Sequence, residues 1–179
     1  MKLRRYLSAA LLGAVLCLLG PFSLPMGPIP LSLATLGVYL AAGLLDPRRS
    51  GAAVGLYLLL GALGLPVFAG FSGGVQRLIG PSGGFLLGYL LCALLSSWLA
   101  TRLRKPWGTP FALAVGTLAL YAVGTLWFTL QTQSSVGAAL LLCVVPFLVG
   151  DAIKIAIATA VILPLRKKLR RLEERRHTD

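Results

Sequence analysis

Six long apolar stretches, parted by short basic or Pro/Gly-rich clusters, constrain this chain more than any other feature. They fall at about 5–20, 31–46, 51–64, 83–103, 110–130 and 146–165. A bilayer core of about 30 Å needs roughly 20 helical residues to cross it. In hydrocarbon only helices and closed barrels satisfy every backbone group, and these stretches lack the period-two alternation of barrel strands. With 12% charged residues, the chain has about half the share of a soluble domain. The prediction is an all-α integral membrane protein with six transmembrane helices. The second and third stretches are short, so one of them is expected to be tilted, kinked or partly interfacial. Residues 137–145 are apolar too and either extend the sixth helix or form an outer segment. A start near Pro146 is favoured, because proline is tolerated in a helix's first turn and disrupts its interior.

Charge sets the orientation. The sequence holds 17 Lys and Arg against 5 Asp and Glu, and fifteen of the cations fall on one side if both termini are cytoplasmic. They cluster before the first span, at Arg48 and Arg49, at Arg102, Arg104 and Lys105, and from Arg166 onward. Arg77 alone lies on the opposite side, and Lys154 lies within a span. Such asymmetry is the positive-inside pattern and requires an even number of spans. The clusters sit between apolar segments, so the basic balance orients a membrane protein and implies no nucleic acid. Residues 1–165 form one membrane domain. Residues 166–179 form a basic cytoplasmic tail, a polar helical extension suited to anionic lipid. Met1 to Leu19 has the layout of a signal peptide without a clear cleavage site, so an uncleaved first helix is expected.

Asp151 and Lys154 are the charged residues clear of the span ends, and three-residue spacing puts them on one helix face. Lys154 lies about ten residues, or roughly 15 Å, from the expected cytoplasmic end, too deep for its stem to snorkel there. Ionisable groups at such depth usually face a partner, a cavity or a pathway. The pair therefore contacts a ligand, or else satisfies itself and fixes helix packing.

Two segments could build a pocket with it. The outer loop between the third and fourth spans, roughly 65–82, is glycine-rich and carries Phe68, Ser72, Gly73 and Gly74. It leads into Ser82, Gly83, Gly84 and Phe85. Glycines let backbone approach a ligand closely, and long loops often act as lids. A plain flexible loop is the other reading, although the aromatics argue against it. At the start of the second span, Ser32 and Thr35 project into the same outer region, where their hydroxyls meet either ligand or backbone. On the first span, Ala9/Gly13 and Ala10/Ala14 form two small-residue pairs that let another helix approach, internal or from a partner.

Other chemistry is missing. There is no Walker A lysine loop. His177 is the lone histidine, so no metal set or Ser/His catalytic set can be assembled. Cys17, Cys92 and Cys143 lie inside apolar runs without ligand spacing and read as buried hydrophobes. Neither an enzyme nor a metal or cofactor protein is indicated.

At four stretches the chain resembles the BioY family, the biotin-specific substrate-binding subunits (S components) of energy-coupling-factor (ECF) transporters. They are Pro28-Ile29-Pro30-Leu31-Ser32-Leu33, Gly64-Leu65-Pro66-Val67-Phe68-Ala69-Gly70-Phe71-Ser72-Gly73-Gly74, Gly80-Pro81-Ser82-Gly83-Gly84-Phe85 and Pro146-Phe147-Leu148-Val149-Gly150-Asp151-Ala152-Ile153-Lys154. The resemblance implies a six-helix subunit of the inner (cytoplasmic) membrane that binds biotin at the outer face. It implies as partners a transmembrane coupling subunit and two cytoplasmic ATPases that use ATP. It would make Asp151 and Lys154 ligand contacts, with the 72–74 and 81–85 segments shaping the pocket. The small-residue stripe Ala9, Ala10, Gly13 and Ala14 resembles the family's docking surface for the coupling subunit. Two positions depart from the pattern: Ala34 stands where the family often has glutamine, and Phe85 where it often has tyrosine. An S component for another small vitamin, an intramembrane enzyme using Asp151, and a non-transporting assembly subunit remain the alternatives.

Overall fold

The computed structural model of the chain describes residues 2–25, 29–103, 105 and 107–175. Pro28, Arg104, Pro106, Arg176 and His177, which entered the motif and charge readings, lie outside the described residues. Among the described residues, helices occupy each of the expected apolar stretches: α1 (Lys2–Leu19), α2 (Ala34–Leu44), α3 (Pro47–Ala62), α5 (Gly83–Arg102), α6 (Gly108–Thr132) and α8 (Val145–Arg175). Two short helices, α4 (Val75–Ile79) and α7 (Val136–Cys143), occupy the connections. By length and hydropathy, α5, α6 and Val145–Leu169 of α8 are long and apolar enough to cross a bilayer. Tyr6–Leu19 and α2 are shorter apolar helices. At 11 residues, α2 rises only about 17 Å.

The all-α expectation has one exception. Ser23–Leu24 (β1) pairs antiparallel with Leu31–Ser32 (β2) as a two-residue ribbon between α1 and α2. Leu33 N–H adds a bond to Phe22 O at 2.9 Å, so the chain leaving α1 satisfies its backbone on the chain entering α2. Ser32 therefore lies in the ribbon and not on the helix. Of the two alternatives for the apolar 137–145 stretch, the structure has the separate segment: α7 covers most of it and does not extend α8. Ser135 caps α7 by accepting from Ala138 N–H at 3.3 Å, and α8 begins one residue before Pro146. The expected boundary at 165 falls inside α8, which runs through Pro164. There the Arg166 guanidinium donates to Gly43 O on α2 and to Thr109 Oγ1 on α6.

Packing places α5 centrally, against α6 most extensively and also against α3 and α2, while α2 further contacts α8 and α1. Small residues set these approaches. A Cβ on Gly116 would collide with Ser96 of α5, and one on Gly88 with the Leu120 side chain of α6. The fully buried side chains include Tyr39, Tyr57, Phe68, Leu16, Leu113 and Leu120, whereas Leu7, Leu11, Leu118, Leu126 and Leu130 are exposed as on a lipid-facing rim.

Over the end of the bundle that carries the 64–82 loop, the chain forms an ordered roof. Gly64 takes a left-handed φ of +99° just past α3, a conformation that glycine adopts without strain. Phe68 and Ser72 then pair as an isolated bridge, and Gly70 N–H donates to Pro21 O at 2.9 Å. Phe71, itself at φ +55°, meets Phe22 edge-on with centroids 5.8 Å apart. The roof thus rests on the chain after α1.

Candidate functional site

Asp151 and Lys154 come from the first turns of α8, on the face that packs toward α2 and α6. They are 3% and 6% exposed, and Lys154 Nζ lies 3.0 Å from Asp151 Oδ1. The same ammonium donates to Ser32 O at 2.7 Å and to Thr35 Oγ1 at 2.8 Å. An ammonium has three N–H donors, so all of them are engaged by the protein. Asp151 is engaged differently. Its Oδ1 also lies 3.2 Å from Thr35 Oγ1, and its Oδ2 accepts from the Tyr121 hydroxyl of α6 at 2.6 Å. A carboxylate offers about four lone-pair directions, which leaves room for one more donor at Oδ2. A group that accepts from Lys154 must displace one of three existing acceptors, whereas a group that donates to Asp151 displaces nothing.

Ser32 joins the ribbon to this cluster. Its hydroxyl donates to Gly20 O at 2.8 Å and accepts from Ala34 N–H at 3.0 Å, fixing the start of α2 against the end of α1. On α6, Tyr39 of α2 meets Thr117 Oγ1 at 2.7 Å, and Thr117 donates on to Leu113 O at 2.8 Å. Buried hydroxyls thus bind α2 to both α6 and α8 beneath the site.

Two adjoining pockets, a charged lobe and a loop lobe, share part of their lining beside the pair. The charged lobe is lined by Thr35, Tyr121, Phe147, Asp151 and Lys154, among others. The loop lobe, beneath the roof, is lined by Tyr57, Phe68, Ser72, Arg77 and Ser82. Ile29, Pro30, Ser32, Phe85 and Tyr89 line both lobes. The shared wall is partly aromatic, with the ion pair in one lobe and hydroxyls with the Arg77 guanidinium in the other.

Most of the residues singled out in the sequence come together here: Asp151, Lys154, Ser32, Thr35, Phe68, Ser72, Ser82 and Phe85 all line one lobe or both. Three glycines do not line either lobe. A Cβ on Gly84 would strike Trp127 of α6, so this glycine serves helix contact. Gly73 packs on the backbone of Gly64 and Leu65. Gly74 precedes α4 at φ +98° and ties back to Gly61 O at 2.7 Å. All three shape the pocket indirectly, by letting the roof and α5 sit close. The small-residue stripe divides as well. Ala9 and Gly13 are buried, and a Cβ on Gly13 would meet Ala53 O of α3 at 3.2 Å. That half is used within the chain, while Ala10 and Ala14 remain exposed.

Sequence reasoning missed the tyrosines. Tyr57, Tyr89 and Tyr121 line the cavity. A signal existed for Tyr121: Thr117, Tyr121 and Thr125 recur every four residues in an otherwise apolar helix, and all three are buried. A polar stripe on one face of a spanning helix points into the protein. Tyr57 and Tyr89 have no polar residue four positions away, only Ser50 and Ser96 two turns off, and so gave no such repeat.

The profile of the BioY family matches residues 1–171. A protein of Lactococcus lactis subsp. cremoris named biotin transporter BioY2 is 38% identical over 161 residues, covering 89% of this chain and 88% of its own. The biotin transporter BioY of Thermotoga maritima is 35% identical over 166 residues, covering 92% of this chain and 97% of its own. Among solved structures, the S-component for biotin from an ECF-type ABC transporter superposes with a TM-score of 0.86 at 28% identity, covering 93% of this chain and 92% of that one.

Proposed function

The chain belongs to the BioY family, and from that membership we propose that it is the biotin-binding S component of an ECF-type vitamin uptake transporter of the cell membrane. The observation that carries the reading to particular residues is the buried Asp151–Lys154 pair in the wall of a pocket that also holds Phe85, Tyr89 and Phe147 and adjoins the loop lobe. Biotin presents ureido N–H donors at one end, a carboxylate at the other and an apolar bicycle between. Asp151, with room for one more donor at Oδ2, suits one ureido N–H, and Phe85, Tyr89 and Phe147 suit the rings. Lys154, committed to three acceptors, holds the Asp151 carboxylate in position.

The finer topology follows from the same reading. Six helices cross the membrane, both termini and the basic tail lie in the cytoplasm, and the 64–82 roof faces outside. Supporting this is the cation distribution, which leaves Arg77 as the outward cation. Uptake then requires a transmembrane coupling subunit and two ATPases. The exposed Ala10/Ala14 face of α1 is the docking surface for the coupling subunit, because small residues let a partner helix approach closely.

Titration of the purified protein with biotin in detergent tests the reading. Saturable binding at one site is the expected result. An assembly subunit without a ligand would show none, and an S component for a different vitamin would prefer that vitamin.

A further inference from the structure

Tyr57 carries a buried hydroxyl that nothing in the protein satisfies. The residue is 0% exposed, and its Oη has no hydrogen-bond partner. Buried hydroxyls are normally paired, and an orphan is costly enough to need an explanation. Among the described residues, it is the one such side chain that lines either lobe of the cavity.

The ring is firmly held, so the orphan is not a loose end. It stacks edge-on against Phe68 of the roof, with centroids 5.4 Å apart and planes at 76°. The phenol also packs against Gly20, where a Cβ would lie 2.8 Å from Oη and would collide with Val67 O. The missing side chain just past α1 therefore lets the phenol pack close against the backbone. Such fixing leaves the hydroxyl positioned but unused.

The two lobes differ in polarity. The charged lobe contains a carboxylate, Asp151, with an acceptor position to spare. The loop lobe contains Tyr57, Ser72, Ser82 and Arg77 and no carboxylate. A ligand with N–H donors at one end and an anion at the other is thus sorted by the cavity, donors toward Asp151 and anion toward the loop lobe.

We propose that Tyr57 is a specificity residue whose hydroxyl donates to the carboxylate of the bound ligand in the loop lobe. The proposal rests on the reading of that ligand as biotin. A phenol–carboxylate bond is charge-assisted, and its loss is felt only by a ligand that carries the charge.

The test compares the full-length protein and its Tyr57→Phe variant in detergent, by competition against labelled biotin. The competitors are biotin and biotinamide, in which a neutral amide replaces the carboxylate. The phenyl ring keeps the contact with Phe68, so without ligand the variant should melt no lower than the parent. Its affinity for biotin should fall about tenfold or more, which is about 1.4 kcal/mol per tenfold. Its affinity for biotinamide should stay within about twofold, so that the parent's preference for the acid collapses. A variant that binds biotin as the parent does overturns the proposal, and so does an equal loss for both compounds. Failure of the parent itself to bind biotin would instead overturn the functional reading on which the proposal rests.

Discussion

Lys154 Nζ sits 3.0 Å from Asp151 Oδ1 while donating at 2.7 Å to Ser32 O and at 2.8 Å to Thr35 Oγ1. One ammonium therefore joins α8 to the ribbon and to the first turn of α2. Charges taken from water are tolerated when each is paired and its remaining hydrogen-bonding capacity is met. The arrangement meets Lys154 in full and Asp151 in part, and on the proposed function this inequality makes Lys154 the positioning group and Asp151 the ligand-facing one.

The orientation in the membrane is testable without a ligand. Reporter fusions after Lys105 should score as cytoplasmic, and fusions after Ser135 as external. The opposite pattern would refute the assignment of the basic clusters to the inside and would place the cavity on the wrong face for uptake.

The two halves of the α1 stripe should separate under mutation. Ala14→Trp adds bulk to an exposed face and should leave biotin binding within about twofold while abolishing ATP-coupled uptake. Gly13→Leu drives a side chain into the α3 backbone and should cost about 1–3 kcal/mol by overpacking, read as a lower melting temperature. Equal loss of binding in both variants would mean that Ala14 also packs internally.

Tyr121→Phe removes the donor at Asp151 Oδ2 while leaving the ring in place. A hydrogen bond to a charged group is worth about 1.5–3 kcal/mol, so biotin binding should weaken about tenfold or more. Titration of the variant beside its melting curve measures both effects. Binding at the parent's level would show that Lys154 and Thr35 suffice to aim the carboxylate.

Much of this was legible in the sequence, and what was hidden has a physical reason. The long helices announced themselves because lipid demands uninterrupted apolar stretches. Asp151 and Lys154 stood out because charge within such a stretch is costly. The β1–β2 ribbon did not, since pairing of two residues leaves no periodic pattern. Gly84 and Gly73 were read as pocket residues because sequence cannot tell a glycine that admits a ligand from one that admits Trp127 or a neighbouring carbonyl. Tyr57 was overlooked because its significance lies in an absent partner, which only coordinates reveal.

The sharpest test of the site is a double-mutant cycle on the pair. Asp151→Asn and Lys154→Met should each weaken biotin binding by well over tenfold. Removing one member of a buried, hydrogen-bonded charge pair leaves the other uncompensated, at a cost of about 3–5 kcal/mol. Part of that cost falls on folding, because Lys154 also holds Ser32 and Thr35 in place. Monodispersity and melting in detergent must therefore be measured beside binding. The double variant separates the two readings of the pair. If Asp151 and Lys154 only satisfy each other, removing both should restore stability and leave binding near the parent's. If Asp151 receives the ligand, stability should recover in part while binding stays lost, since an amide oxygen is a weaker acceptor and no group replaces it. A double variant that binds biotin as the parent does would remove the pair from the site.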